Sequence, residues 1–330
     1  MKLSLKLAVT VILVGVIVWQ LGGLGKVGAS LRQIDPAYIS LIFALYTLDR
    51  ALMSYKWGLL LRSRGQQLPF FRGLRIYCAS MVWGMFLPTT VGADATRALS
   101  TSRCGLDADE VVASIVIERM IGFITALGLG LLSFFVLSVT GGLDERFRPL
   151  WWLGSLILLG ATLAFTASLS ERGFDFVHSR LSRRFSTARI LQRLRQAHLS
   201  YVAYRREKRS LVTFFGLTIV QQLTPILLIW LTARALSVEV SLLYVTGVVP
   251  VVFLISRVPI SINTLGVFEG IFIFVMSLVG VTVAESIAIS LAGRLVEVAS
   301  WLPWWLAHII GYGGLQASRL VANIGDVAER

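Results

Sequence analysis

Apolar stretches of roughly 20 residues recur along the chain, at 5–22, 37–61, 110–139, 150–169, 211–235 and 285–313. As a helix, each is long enough to cross a bilayer core of roughly 30 Å. Two further apolar regions, 76–91 and 242–280, are broken by polar and turn-forming residues: "LPTTVGADATR" (87–97) in one, "PISINTLGVFEG" (259–270) in the other. The pattern predicts an all-α polytopic membrane protein, one integral membrane domain over 1–330, with about six full transmembrane helices and two interrupted segments. The first stretch follows Lys2 and Lys6 and precedes Val27-Gly28-Ala29, the layout of a signal peptide. Its apolar run is long for that, so a retained anchor is the expectation.

Composition agrees: 56% of the 330 residues are hydrophobic and 15% charged. The net charge of +13 does not point to nucleic acid, because the basic residues lie mostly between apolar spans and accompany no soluble domain. Residues 171–209 hold eleven Lys or Arg against Glu171, Asp175 and Glu207, and 62–75 add Arg62, Arg64, Arg72 and Arg75 with no acid. The positive-inside bias places both segments in the cytoplasm. If 76–91 crossed the membrane, the crossings at 110–139 and 150–169 would leave the eleven-charge segment outside. Parity is restored when 76–91 enters from the cytoplasm, turns near Pro88 and Gly92, and returns through Ala93 to Arg103 as a re-entrant hairpin. Asp94 and Arg97 then stand i, i+3 on the return arm, close enough to pair.

A shift of 175 positions sets Asp94 on Glu269, Gly105 on Gly280, Glu110 on Glu285 and Arg119 on Arg294. This predicts an internal repeat, 37–140 against 211–313, joined through a cytoplasmic basic segment at 170–210. The second span runs inward and its counterpart at 211–235 runs outward, so the halves have inverted topology. The second hairpin, with tips at Pro259 and Gly266, would enter from the outer face, and both termini lie in the cytoplasm. Related halves with broken elements meeting near the midplane are a transporter construction.

At these residues the chain resembles the flippase-like family named for the transmembrane region of lysylphosphatidylglycerol synthase, the multiple peptide resistance factor. "LPTTVGADATR", "VVASIVIERMIG" and "PISINTLGVFEG...AESIAISLAGRL" carry the likeness, which spans about residues 5–315. The resemblance implies a prokaryotic inner-membrane protein that moves an anionic or polyprenyl-linked lipid between leaflets through a polar cavity between two facing hairpins. No counterpart of the soluble aminoacyl-transferase domain is found in these 330 residues, so aminoacylation, and enzymatic activity generally, are not expected. Thr89, Thr90, Ala93, Asn263 and Thr264 stand where the family usually has a glycine-rich tip, and Phe268 where a basic residue is common. A changed cargo or weaker headgroup contacts would follow.

Several residue types carry more than one reading. Arg119 and Arg294 can grip a lipid phosphate with a guanidinium fork, pair structurally with Asp94, Glu118, Glu269 or Glu297, or snorkel to the interface. Asp94 and Glu269 can relay protons or pin the hairpins. Arg50, beside Asp49 midway along the second span, and Arg257 are further candidates for the cavity wall. The segment 181–209 fits an amphipathic helix on the cytoplasmic leaflet, or a topology determinant alone. Trp151, Trp152, Trp301, Trp304 and Trp305 suit belt anchoring or packing. Cys78, Cys104, His178, His198 and His308 have no metal-ligand spacing, and no phosphate-cradling glycine loop occurs, so neither metal nor nucleotide cofactor is expected. Membrane lipids are the expected partners, with a separate lipid-modifying enzyme and a second copy of the chain as further candidates. A membrane enzyme or accessory subunit in lipid or lipid-linked sugar biosynthesis is the rival function.

Overall fold

The computed structural model describes residues 35–86, 92–139, 148–169, 188–256 and 266–328. These form ten α-helices: α1 (Pro36–Ser63), α2 (Phe70–Phe86), α3 (Gly92–Ser102), α4 (Ala108–Val139), α5 (Arg148–Ser168), α6 (Ala188–Ala203), α7 (Lys208–Ala235), α8 (Leu242–Ser256), α9 (Val267–Ser277) and α10 (Val283–Ala328). No strand occurs among the described residues. Three of the helices are long and apolar enough to cross a membrane, over Ala108–Val136, Trp151–Ser168 and Lys208–Ala235. They coincide with three of the stretches expected to span. The stretch at 5–22 lies outside the described residues.

Helix α5 shows what the bilayer does in place of a core. None of its apolar window is buried inside the protein, and Trp152, Leu153, Leu156, Leu159 and Leu163 all face outward. Lipid is the solvent that satisfies such a surface. Helix α1 is the converse case: its length suffices, but Asp49, Ser54 and Lys56 are buried in protein. It starts where Asp35 accepts a hydrogen bond from the Ala37 amide and Pro36 occupies the first turn.

Element lengths recur. Helices α1 and α7 each have 28 residues and begin 172 positions apart. Helices α3 and α9 each have 11 residues and begin 175 positions apart. The single ungapped offset of 175 expected from the sequence therefore does not hold throughout. It applies from α3 and α9 onward, and the three-residue difference falls between α2 and α3 or between α8 and α9. The turns after α3 and α9 match in detail: Gly105 and Gly280 both adopt positive φ, 87° and 81°. Leu106 N–H reaches Thr101 O, and Val281 N–H reaches Met276 O. Asp107 then caps α4, and Thr282 with Glu285 caps α10.

Packing recurs too. Neighbours α1–α2, α2–α3, α3–α4 and α1–α4 are matched by α7–α8, α8–α9, α9–α10 and α7–α10. The crosswise contacts exchange, α4 with α7 and α8 against α10 with α1 and α2. Helices α1 and α7 lie antiparallel: Asp49 bonds Gln221 and Lys56 bonds Thr218, so numbers rise along one helix as they fall along the other, and Tyr204 in the turn before α7 bonds Leu60.

Helix α6 packs on protein in its last turn. Tyr201 and Val202 are buried with Leu60, Ala113, Ile117 and Phe214, and Ser200 donates to Glu110 at 3.1 Å. Tyr204, in the following turn, donates to Leu60 O at 3.2 Å, and its burial and the nearby Glu110 push the phenol above its usual range.

Candidate functional site

Each short helix after an interruption carries a carboxylate in its first turn, and each long helix after it brings an arginine at its twelfth residue. In the first half, Arg119 Nη2 and Nε both donate to Asp94 Oδ2, at 2.8 and 2.9 Å. In the second, Arg294 Nη2 forms an ion pair with Glu269 Oε1 at 3.1 Å. The two pairs occupy positions related by the 175-residue shift. Glu269 Oε2 also accepts from Gly266 N–H at 2.6 Å, capping α9 at a glycine whose φ of 80° favours that residue. Carboxylates at helix N-termini are favoured by the helix dipole, which adds to the attraction of the arginine.

Around Asp94 the first half builds a second layer. Arg97 is buried, its Nη1 forms an ion pair with Glu118 Oε2 at 2.9 Å without hydrogen-bond geometry, and its Nη2 reaches Asp94 Oδ1 at 3.5 Å. Its guanidinium lies 4.8 Å from the ring centres of both Trp57 and Tyr77. Tyr77 donates to Glu118 at 2.9 Å and Trp57 to Ser114 at 3.0 Å, so each ring is fixed at its polar end. The second half has no such layer: Phe272 stands at the position of Arg97, Gly293 at Glu118, Ile229 at Trp57, Val249 at Tyr77 and Ile289 at Ser114. Phe272, Val249 and Ile289 are members of one buried apolar cluster. The consequence is a difference in freedom. Arg97 is 2% exposed and enclosed, whereas Arg119 is 51% exposed and, among the described residues, holds only Asp94.

Between the pairs runs a polar layer. Asp49 and Gln221 are each the fourteenth residue of a 28-residue helix, and Gln221 donates to Asp49 at 3.0 Å. Arg50 pairs with Asp49. Gln222, related to Arg50 by the shift of 172, donates to Gly122 O and Thr125 at 3.0 and 3.2 Å. Glu297 lies within electrostatic range of Arg50 and Arg294. Lys56 donates to Thr218 at 3.1 Å and covers the Phe214 ring. A charge without a partner at this depth would be costly, which is why each has one.

Of the residues singled out from the sequence, Asp94, Arg97 and Arg119 meet in one group, Glu269 and Arg294 in another, and Arg50 and Glu297 in the layer between. Gly92 begins α3 and is buried. Pro88, Arg257 and Pro259 lie outside the described residues. Sequence reasoning missed Gln221, Gln222, Lys56, Trp57 and Tyr77. Only the even spacing of Asp49 and Gln221 about the shift of 172 could have pointed to any of them.

The family model for the lysylphosphatidylglycerol synthase transmembrane region matches residues 3–304. The chain is also 22% identical over 302 residues to UPF0104 membrane protein MJ1595 of Methanocaldococcus jannaschii, a match covering 88% of this chain and 87% of that protein. With a match over nearly its whole length, this all-helical membrane protein belongs to the family of the lysylphosphatidylglycerol synthase transmembrane region.

Proposed function

We propose that this protein carries an anionic or polyprenyl-linked lipid between the leaflets of a prokaryotic inner membrane. The observation that supports this most is the recurrence of one intramembrane ion pair, Asp94–Arg119 and Glu269–Arg294, at the start of two short helices. Helices α2 and α8 have 17 and 15 residues and α3 and α9 have 11, or about 26, 23 and 17 Å, each short of a core of roughly 30 Å. Paired as α2 with α3 and α8 with α9, they act as two re-entrant hairpins. Exchange of contacts between antiparallel α1 and α7 is what a two-fold axis perpendicular to both produces. With α1 and α7 across the bilayer, that axis lies in the membrane plane and the halves are inverted, cytoplasmic at both termini.

In this reading a lipid phosphate competes with the carboxylates for Arg119 and Arg294. A guanidinium can hold phosphate with two parallel bonds, so the exchange keeps both charges paired throughout. The half-open Arg119 is the more accessible of the two. No bond in the lipid is made or broken. Purified protein in liposomes tests the reading: it should speed the exchange of labelled phosphatidylglycerol, or of a labelled polyprenyl phosphate, between leaflets. No acceleration over protein-free liposomes with either lipid would refute it.

A further inference from the structure

The antiparallel pair of α1 and α7 leaves a cavity of about 460 Å³ at one end, lined by Ala37, Tyr38, Leu41, Trp230, Leu231 and Arg234. Volumes of roughly 300–1,000 Å³ suit small-molecule ligands. With both helices across the bilayer and their midpoints at its midplane, its depth follows from the helical rise. The Asp49–Gln221 bond marks the midpoint of both helices. Ala37 and Arg234 lie 12 and 13 residues from it, which at a rise of 1.5 Å per residue is about 18–20 Å. Leu41 and Trp230 lie 8 and 9 residues away, about 12–14 Å. The hydrocarbon core ends about 15 Å from the midplane and headgroups reach about 20–22 Å. The cavity therefore bridges the hydrocarbon edge and the phosphate layer, apolar at its deep end and cationic at its shallow end.

The cation is available. Arg234 stacks on Trp230 at 5.4 Å and pairs with no carboxylate among the described residues. The opposite end of the helix pair differs. There Arg62, 172 positions earlier, donates to Gly58 O at 3.2 Å and covers the Tyr55 ring. Leu60, on another face of the same turn, is buried against Tyr204 and Phe214.

We propose that this cavity binds the headgroup of an anionic phospholipid from the leaflet opposite the basic segment. Arg234 holds a phosphate oxygen, Tyr38 offers a second donor, Trp230 forms a rigid wall, and Leu41 and Leu231 meet the first acyl carbons. A soluble phosphate would gain nothing from those apolar walls, so the lipid is the occupant the geometry favours. The leaflet and the depth rest on the membrane placement given with the transport reading, whereas the site requires no transport.

Trp230 supplies the readout. Full-length protein in nanodiscs of unbrominated lipid is titrated with phosphatidylglycerol or phosphatidylcholine brominated on the acyl chains, and the Trp230 signal is taken as the difference between wild type and Trp230→Phe. Half-quenching should need about fivefold less phosphatidylglycerol than phosphatidylcholine, the factor that about 1 kcal/mol per basic residue implies. Arg234→Gln should abolish that preference and Arg234→Lys should retain it. Equal quenching by the two lipids in the wild type, or an undiminished preference in Arg234→Gln, overturns the site. Displacement of the quenching lipid by millimolar glycerol phosphate would reassign it to free phosphate and overturn the lipid proposal. Leaflet exchange is not read, so failure of transport leaves this result standing, and failure here leaves transport standing.

Discussion

Replacing Arg97 by methionine removes a cation that is buried between Trp57 and Tyr77 and paired to Glu118 at 2.9 Å. Removing one partner of a buried pair costs about 3–5 kcal/mol, mostly because the other charge stays behind without compensation. Loss of the ring contacts adds about 0.5–2 kcal/mol. Arg97→Met should therefore lower stability by about 3.5–7 kcal/mol. Adding Glu118→Gln removes the stranded charge while keeping an acceptor for the Tyr77 hydroxyl, which Glu118 accepts at 2.9 Å. The second half already packs Phe272 and Gly293 at these positions. The double variant should accordingly lose only about 1–2 kcal/mol, a coupling of at least about 2 kcal/mol. Unfolding in mild detergent, followed by tryptophan fluorescence on the four proteins of the cycle, measures this. Strict additivity of the two single losses, or an Arg97→Met variant within about 0.5 kcal/mol of wild type, would refute the buried-pair account.

Four other outcomes follow from particular contacts. A Cβ on Gly84 would lie 2.7 Å from Ala93 Cβ, so Gly84→Val should force α2 from α3 and cost about 1–3 kcal/mol in the same unfolding assay. Gly105→Ala and Gly280→Ala, at matching positive φ with open space around both, should each cost about 1 kcal/mol, equal within error. Lys56 is buried on one hydroxyl partner, so Lys56→Met should be neutral or stabilising by thermal melting. A cysteine at Ser182, within the basic segment, should label from the cytoplasmic side with an impermeant thiol reagent; labelling from the opposite side would reverse the orientation.

The long spans were legible because lipid imposes hydrophobicity over a fixed length, and α4, α5 and α7 meet that demand with little else in them. Helix α1 was legible in extent but not in surroundings, since Asp49 and Lys56 make sense only beside Gln221 and Thr218. The two ion pairs could be anticipated as candidates because both partners move together under one shift of the chain. Which carboxylate each arginine would take was open: Glu297, one turn from Arg294, was as eligible as Glu269 until α9 was seen to present the latter. The enclosure of Arg97 was not legible, because Trp57 and Tyr77 come from separate helices and aromatic residues in apolar spans have no distinguishing spacing. The change of offset from 172 to 175 hid the relation of Asp49 to Gln221. Arg234 reads in sequence as a basic residue ending a helix, and only the packing of α1 beside it reveals the cavity.

Leaflet exchange of fluorescent phosphatidylglycerol by proteoliposomes carrying wild type, Arg119→Gln or Arg294→Gln tests the arginine handover itself. Each substitution should slow exchange about tenfold or more, the consequence of losing about 1.5–3 kcal/mol of charge-assisted bonding. Wild-type rates in both variants, with the protein folded and inserted, would contradict it.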